Sequence, residues 1–167
     1  MTGVEVRAAV AVIRVPDPDA ILLIHRATRD GDPWSGQMGL PGGHVEPSDT
    51  DLVATAIRET AEEVGIRLER GQLVGSLDDV APRGVVPPPF LVRPFLFTLP
   101  SRPPLQLSSE AANASWIDWS TLVDPANHRE VSITFRGSPR SVVAFVIGDQ
   151  VIWGMTERVL AGLVEGG

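Results

Sequence analysis

At 167 residues, 43% of them apolar, the chain is long enough to bury one core of ordinary domain size. Its formal net charge of −7 argues against a nucleic-acid duplex as partner, because phosphate neutralisation needs clustered Lys and Arg; a small phosphorylated substrate stays open, since a bound cation reverses the local sign. The absence of cysteine excludes disulfides and thiolate metal sites, and without a leader pattern at residues 1–15 or an apolar run of membrane-spanning length the expectation is a cytoplasmic protein with no membrane partner.

In chain order, residues 4–15 read as a Val- and Ile-rich strand, residues 16–19 as a hairpin turn and residues 20–25 as a second strand. Residues 26–39 read as loop, and Leu40-Pro41-Gly42-Gly43 as a sharp turn. The best helix spans residues 48–64, with Ser48 and Asp51 as its cap, acidic residues in its first turn and Gly65 as its stop. Strands follow at 72–77 and 90–99, flanking a proline-rich loop at 82–89 that is long enough for a lid or a substrate loop. A strand at 115–119, a small helix at 120–123, strands at 131–135, 142–147 and 151–153, and a closing helix at 156–164 complete the reading. Strands surrounding two helices predict a layered α/β (α+β) domain.

The chemistry concentrates on one helix. At ~100° per residue, Leu52, Val53, Ala56, Ile57, Thr60 and Val64 share the face to be buried. Glu59 and Glu63 are i, i+4 neighbours on the adjacent row, Glu62 lies three residues after Glu59, and Arg58 can pair with Glu62. Like charges at this spacing cost ~0.2–0.5 kcal/mol per pair, and acids near a helix C-terminus oppose its dipole. A hard cation such as Mg²⁺ or Mn²⁺ removes both penalties and bridges carboxylates to phosphates. The glycines upstream let backbone groups of Gly42 and Gly43 approach an ion or a phosphate. Three glutamates on a helix are ordinarily a solvated face, and a Gly-Gly pair is ordinarily a turn. The conjunction Arg58-Glu59-x-x-Glu62-Glu63-x-Gly65 is matched by chance at a given site on the order of one time in a million, which favours a functional site.

The stretch resembles the Nudix box, Gly-x5-Glu-x7-Arg-Glu-U-x-Glu-Glu-x-Gly-U, where U is bulky and aliphatic. Counted from Gly43, the early acid is Asp49 instead of Glu, one extra residue separates it from Arg58, Thr60 replaces the first U and Ile66 fits the last. The longer spacing, Pro41-Gly42-Gly43, Leu22-Leu23-Ile24-His25-Arg26, Trp34-Ser35-Gly36-Gln37 and Trp153-Gly154-Met155-Thr156 resemble the coenzyme A pyrophosphatase-like branch, with Arg26-Ala27 and Leu40 as departures.

The resemblance implies a Nudix fold, a mixed β-sheet sandwiched between helices (α/β/α), over a single domain at 1–167. It implies a Mg²⁺- or Mn²⁺-dependent hydrolase of diphosphate linkages. Glu59 and Glu63 would bind metal directly, Glu62 would complete the site, and the backbone of Gly43 or Gly42 would add a ligand. Arg58 would orient Glu62. Glu110 is the candidate general base and Glu46 the second. Arg26, Gln37, Gly42 and His44 are candidate substrate contacts, with Arg93 beside them, while Trp34 and Phe90 would stack on a base or pack a core. The expected partner is a small diphosphate compound, nucleoside-diphosphate-linked or coenzyme A-like; a homodimer stays open. Alternatives are a nucleotide sugar, a dinucleotide or a nucleoside triphosphate as substrate, or a non-catalytic nucleotide-binding domain. A calcium-binding loop fails, because its Asp-x-Asp-x-Asp-Gly spacing is absent.

Overall fold

The structure is a computed structural model and describes residues 3–28, 30, 37–82 and 89–166. The long apolar N-terminal segment forms β1 (Val6–Pro16), which turns through Asp17-Pro18 into β2 (Asp19–Arg26). The hairpin is paired only near its turn, from Pro16↔Asp19 to Arg14↔Ile21, and Arg14 locks it with a two-pronged ion pair to Asp19 at 2.9 and 2.8 Å. Beyond that the two strands part. β2 continues along β7 (Ala111–Asp118), and β1 runs parallel to β6 (Leu91–Thr98), which carries β5 (Leu73–Ser76) on its far side.

The fork between β1 and β2 is filled by two short strands where the sequence reads as loop and turn. β3 (Met38–Gly39) pairs with β2, and β4 (Gly42–His44) pairs with β1. Here tertiary pairing overrides the local turn signal: the Pro41 carbonyl accepts from the Ala11 amide at 2.8 Å, and Val45 donates to the Arg7 carbonyl at 2.9 Å. The result is a mixed seven-stranded sheet.

Alternation along β1 explains why it reads as a continuous apolar run: both faces are covered. Ala9, Ala11, Ile13 and Val15 face α1 (Leu52–Val64), meeting Ala56 and Val64. Ala8, Val10 and Val12 face the other side, where α3 (Met155–Gly166) brings Val159, Leu160 and Leu163, and α2 (Trp119–Val123) brings Leu122. The layered arrangement of a mixed sheet between helices is thus the observed one. A second, three-stranded antiparallel sheet, β8 (His128–Phe135), β9 (Ser138–Ile147) and β10 (Gln150–Ile152), adds Phe145 and Ile152 to the α3 side. Among the described residues no helix is long and apolar enough to cross a membrane.

The main helix starts later than its sequence suggests. Asp51 is its cap, accepting from the Ala54 amide at 2.8 Å, so residues 48–51 lie outside it and its first turn carries no acid. Gly65 ends it in the left-handed conformation at φ 74°, as expected.

Candidate active site

Three consecutive residues of β4 each meet one charged side chain of α1. The Gly42 amide points at Glu63 Oε2, 3.4 Å away. Gly43 lies against Glu59: a Cβ there would sit 2.6–3.0 Å from the Glu59 carboxyl group, so only glycine leaves that space open. The His44 carbonyl accepts from Arg58 Nη2 at 3.0 Å. The fork of β1 and β2 therefore delivers a glycine-lined backbone edge to the acidic row of the helix.

Arg58 is the hub. It grips Asp49 with Nε and Nη2, both at 2.9 Å, and donates through Nη1 to Glu59 Oε1 at 2.9 Å. Glu62 and Glu46 are weaker partners at 3.4 and 3.5 Å, and both are more than half exposed. The expected Arg58–Glu62 pairing is present, but Asp49 is the principal partner. That role escaped sequence reasoning, although the signal existed: Asp49 stands where the Nudix box places its early acid. Asp49 is held further by Thr55 Oγ1 at 2.8 Å and the Glu46 amide at 2.9 Å, and the Arg58 guanidinium first, with these donors, holds its carboxyl well below the usual carboxylate range.

Glu63 is 5% exposed. Burial first, then the neighbouring Glu59 charge and that of Glu110, push its carboxyl up to about 8, while the Gly42 amide and Arg26 act in the opposite direction. Burial also raises Glu59, against the pull of Arg58. The two acids stay raised despite Arg58 and Arg26, a deficit of positive charge that a divalent ion would relieve. Among the described residues no group of three or more acids or histidines is gathered as a ready cage. Glu62 turns instead toward Arg58. Two carboxylates beside an open backbone edge fit Mg²⁺ or Mn²⁺, which keep several waters and seek few protein ligands.

The remaining candidates fall into place around this pair. Segment 106–108 caps the C-terminal end of α1, with Gln106 donating to the Val64 carbonyl at 2.8 Å and Ser108 to the Glu63 carbonyl at 2.9 Å. That docking brings exposed Glu110 within electrostatic reach of Glu63, and the Glu110 carbonyl accepts from Ala27. Arg26, at the end of β2, is felt by Glu63 as well, and its amide donates to the Gln37 carbonyl at 2.9 Å. Arg93 makes a two-pronged pair with Asp79 at 2.8 and 3.0 Å. Phe90 meets the His44 ring. Trp34 and most of the proline-rich loop lie outside the described residues.

The NUDIX domain family model matches residues 5–136. The chain is 29% identical over 161 residues to an uncharacterized Nudix hydrolase, NudL, of Photorhabdus laumondii, covering 95% of this chain and 83% of that one. It is 41% identical over 118 residues to an uncharacterized protein of Schizosaccharomyces pombe, a match that takes in 68% of this chain but 36% of the relative's length. Among solved structures, it is similar to a C. elegans Ap4A hydrolase in a binary complex, at 27% identity and TM-score 0.55, covering 71% of this chain and 83% of that one.

Proposed function

This chain belongs to the NUDIX family, and on that premise we propose that it hydrolyses the diphosphate linkage of nucleoside-diphosphate-linked compounds with Mg²⁺ or Mn²⁺ bound at Glu59 and Glu63. The observation that carries this reading is the pair of buried Glu63 and partly buried Glu59 set against the glycine edge of β4.

A divalent ion bound there would neutralise the diphosphate and lower the pKa of a water. The protein's own residues supply the rest. Glu59 and Glu63 hold the charge. Gly43 keeps a side chain out of the space beside the Glu59 carboxyl, and the Gly42 amide faces Glu63, so β4 offers backbone and no side chain to the acids. Arg58, fixed from the other side by Asp49, keeps Glu59 in one orientation and ties the 44–49 loop to the helix. Glu110, whose charge is felt by Glu63, is the proposed base that would take a proton from the attacking water, and Glu62 an auxiliary acid on the exposed flank of Arg58. Arg26 and Gln37, at the rim beside Glu110, are the proposed contacts for the substrate's outer phosphate.

Within this class the coenzyme A-like diphosphate is the first substrate to test, because the upstream residues resemble that branch. A dinucleoside polyphosphate is the second, supported by the likeness to the C. elegans Ap4A hydrolase. A panel of diphosphate compounds incubated with Mg²⁺ or Mn²⁺, with products read by mass, tests the proposal. Cleavage at a P–O–P bond that falls at least about 100-fold in Glu59→Gln supports it. A folded, metal-supplied wild type that cleaves none of them contradicts it and favours a nucleotide-binding domain without catalysis.

A further inference from the structure

We propose that the N-terminal end of α3 is a phosphate-binding site separate from the acid pair, built from the amides of Met155, Thr156 and Glu157 and the Thr156 hydroxyl. It goes beyond the hydrolase reading and does not depend on it.

The site grows out of Trp153-Gly154-Met155-Thr156, the stretch joining β10 to α3, for which the chemistry at Glu59 and Glu63 has no use. The first bond of the helix runs from the Arg158 amide to the Gly154 carbonyl at 3.1 Å, so the three amides before it point out of the helix end. A helix ordinarily covers such donors with a side-chain oxygen of its capping residue. Here that residue is Gly154, which enters at φ 73° and has no side chain to offer. The acid of the first turn is occupied elsewhere, since Glu157 Oε2 meets His128 Nε2 at 3.0 Å.

Thr156 is 6% exposed. Among the described residues its hydroxyl has no hydrogen-bond partner, yet no fully buried polar side-chain atom is left unpaired, so this hydroxyl opens onto accessible space. Gly39 shows where. A Cβ built there would meet Thr156 Oγ1 at 3.9 Å and, chain neighbours aside, no other atom of the described residues within 4 Å. Helical side chains lean toward the N-terminus, which carries the hydroxyl to the side of the free amides. Amide donors, a hydroxyl and the positive end of a helix dipole thus meet at the space that Gly39 keeps clear, and that is the donor set of a phosphate site.

The approach is basic although the chain carries a net charge of −7. Trp153 meets Phe135 edge-on at 5.1 Å, and the guanidinium groups of Arg136 and Arg140 each lie 5.2 Å from the same Phe135 ring. Arg136 does so from a left-handed backbone, φ 52°, at the turn between β8 and β9. Two like charges gathered on the ring that abuts Trp153 raise the local potential for an anion.

The test uses the full chain, ¹⁵N-labelled and held in chelator so that the acid pair carries no metal, titrated with inorganic phosphate at fixed ionic strength. The amide signals of Met155, Thr156 and Glu157 should shift saturably. Thr156→Val, equal in shape, should weaken phosphate about tenfold. Gly39→Ala, whose methyl group makes only ordinary contact and narrows the space, should do the same. Arg136→Gln combined with Arg140→Gln should weaken it about threefold, and Glu59→Gln should leave it within about twofold. AMP run in parallel separates the sources: tighter binding than inorganic phosphate at the same three amides identifies the phosphomonoester of a nucleotide, and equal or weaker binding identifies free phosphate. Shifts that do not saturate, saturation elsewhere with these amides unmoved, or unchanged affinity in both Thr156→Val and Gly39→Ala would overturn the site. So would a loss in Glu59→Gln equal to that in Thr156→Val, which would place the phosphate at the acid pair. A wild type that binds phosphate here yet cleaves no diphosphate would refute the hydrolase reading and leave the site standing.

Discussion

Glu63 is a carboxyl placed where a carboxylate is costly: buried, beside Glu59, with one amide at 3.4 Å for support. Its raised pKa makes the metal-free protein pH-sensitive in a defined direction. Between the ordinary Glu range and about 8, the folded state keeps a proton that the unfolded chain has released. The folded state binds more protons, so stability falls as pH rises through that window and levels off above about 8. In chelator, the melting temperature of wild type should decline from pH 5 to about 8, and Glu63→Gln should flatten the slope. A wild-type slope unchanged by the substitution would mean that Glu63 is not the group responsible. Metal must displace the same proton, so apparent Mn²⁺ affinity should rise with pH up to about 8. Asp49 behaves in the opposite sense. Its depressed pKa contributes stability that is present above the ordinary Asp range and is lost as pH falls through the folded value. Asp49→Asn, which leaves the Arg58 fork half-satisfied, should cost about 1–3 kcal/mol at neutral pH by denaturant titration. Its effect should fade in acid, where Asp49 itself is protonated.

At the level of elements, β4 is the piece that makes the helix a site. Its two glycines answer to different neighbours, and their alanine variants should differ accordingly. An added Cβ at Gly43 meets the flexible end of Glu59, so Gly43→Ala should fold and melt nearly as wild type while losing about 10–100-fold in turnover. At Gly42 it meets the Ala9 carbonyl at 2.3 Å and Val10 Cα at 2.6 Å, backbone that cannot yield, so Gly42→Ala should lower stability by about 1–3 kcal/mol. Equal melting temperatures for the two variants would argue against the packing described. The helix itself was legible because its charges recur at helical spacing and Gly65 closes it. Its start was not, since Ser48 and Asp51 are both competent caps and only the folded chain shows Asp51 taking the Ala54 amide. β3 and β4 were hidden for a related reason. Two or three residues rich in glycine carry no strand signal of their own and become strands only because β1 and β2 part and leave unpaired edges. The acids, Arg58 and the glycines were thus readable from spacing, whereas Asp49 as the hub's anchor and segment 106–108 as the helix cap needed the third dimension.

For the whole molecule, the two faces of the sheet divide the labour. The α1 face carries the acids, while the α3 face is covered in part by β9, β10 and α3, which lie beyond the family match at 5–136. Truncating fully buried Leu160 should therefore cost about 2–5 kcal/mol of stability while leaving turnover of the folded fraction close to wild type. A selective loss of turnover at unchanged stability would instead tie α3 to the chemistry. The central claim, that Glu59 and Glu63 grip a divalent ion against the glycine edge, is tested most directly by a crystal soaked in Mn²⁺ and measured for anomalous scattering. A peak between the two carboxylates beside Gly42 and Gly43, absent in Glu63→Gln, is the predicted result. Saturating Mn²⁺ with no peak there, in crystals of a preparation that cleaves diphosphates, would contradict it.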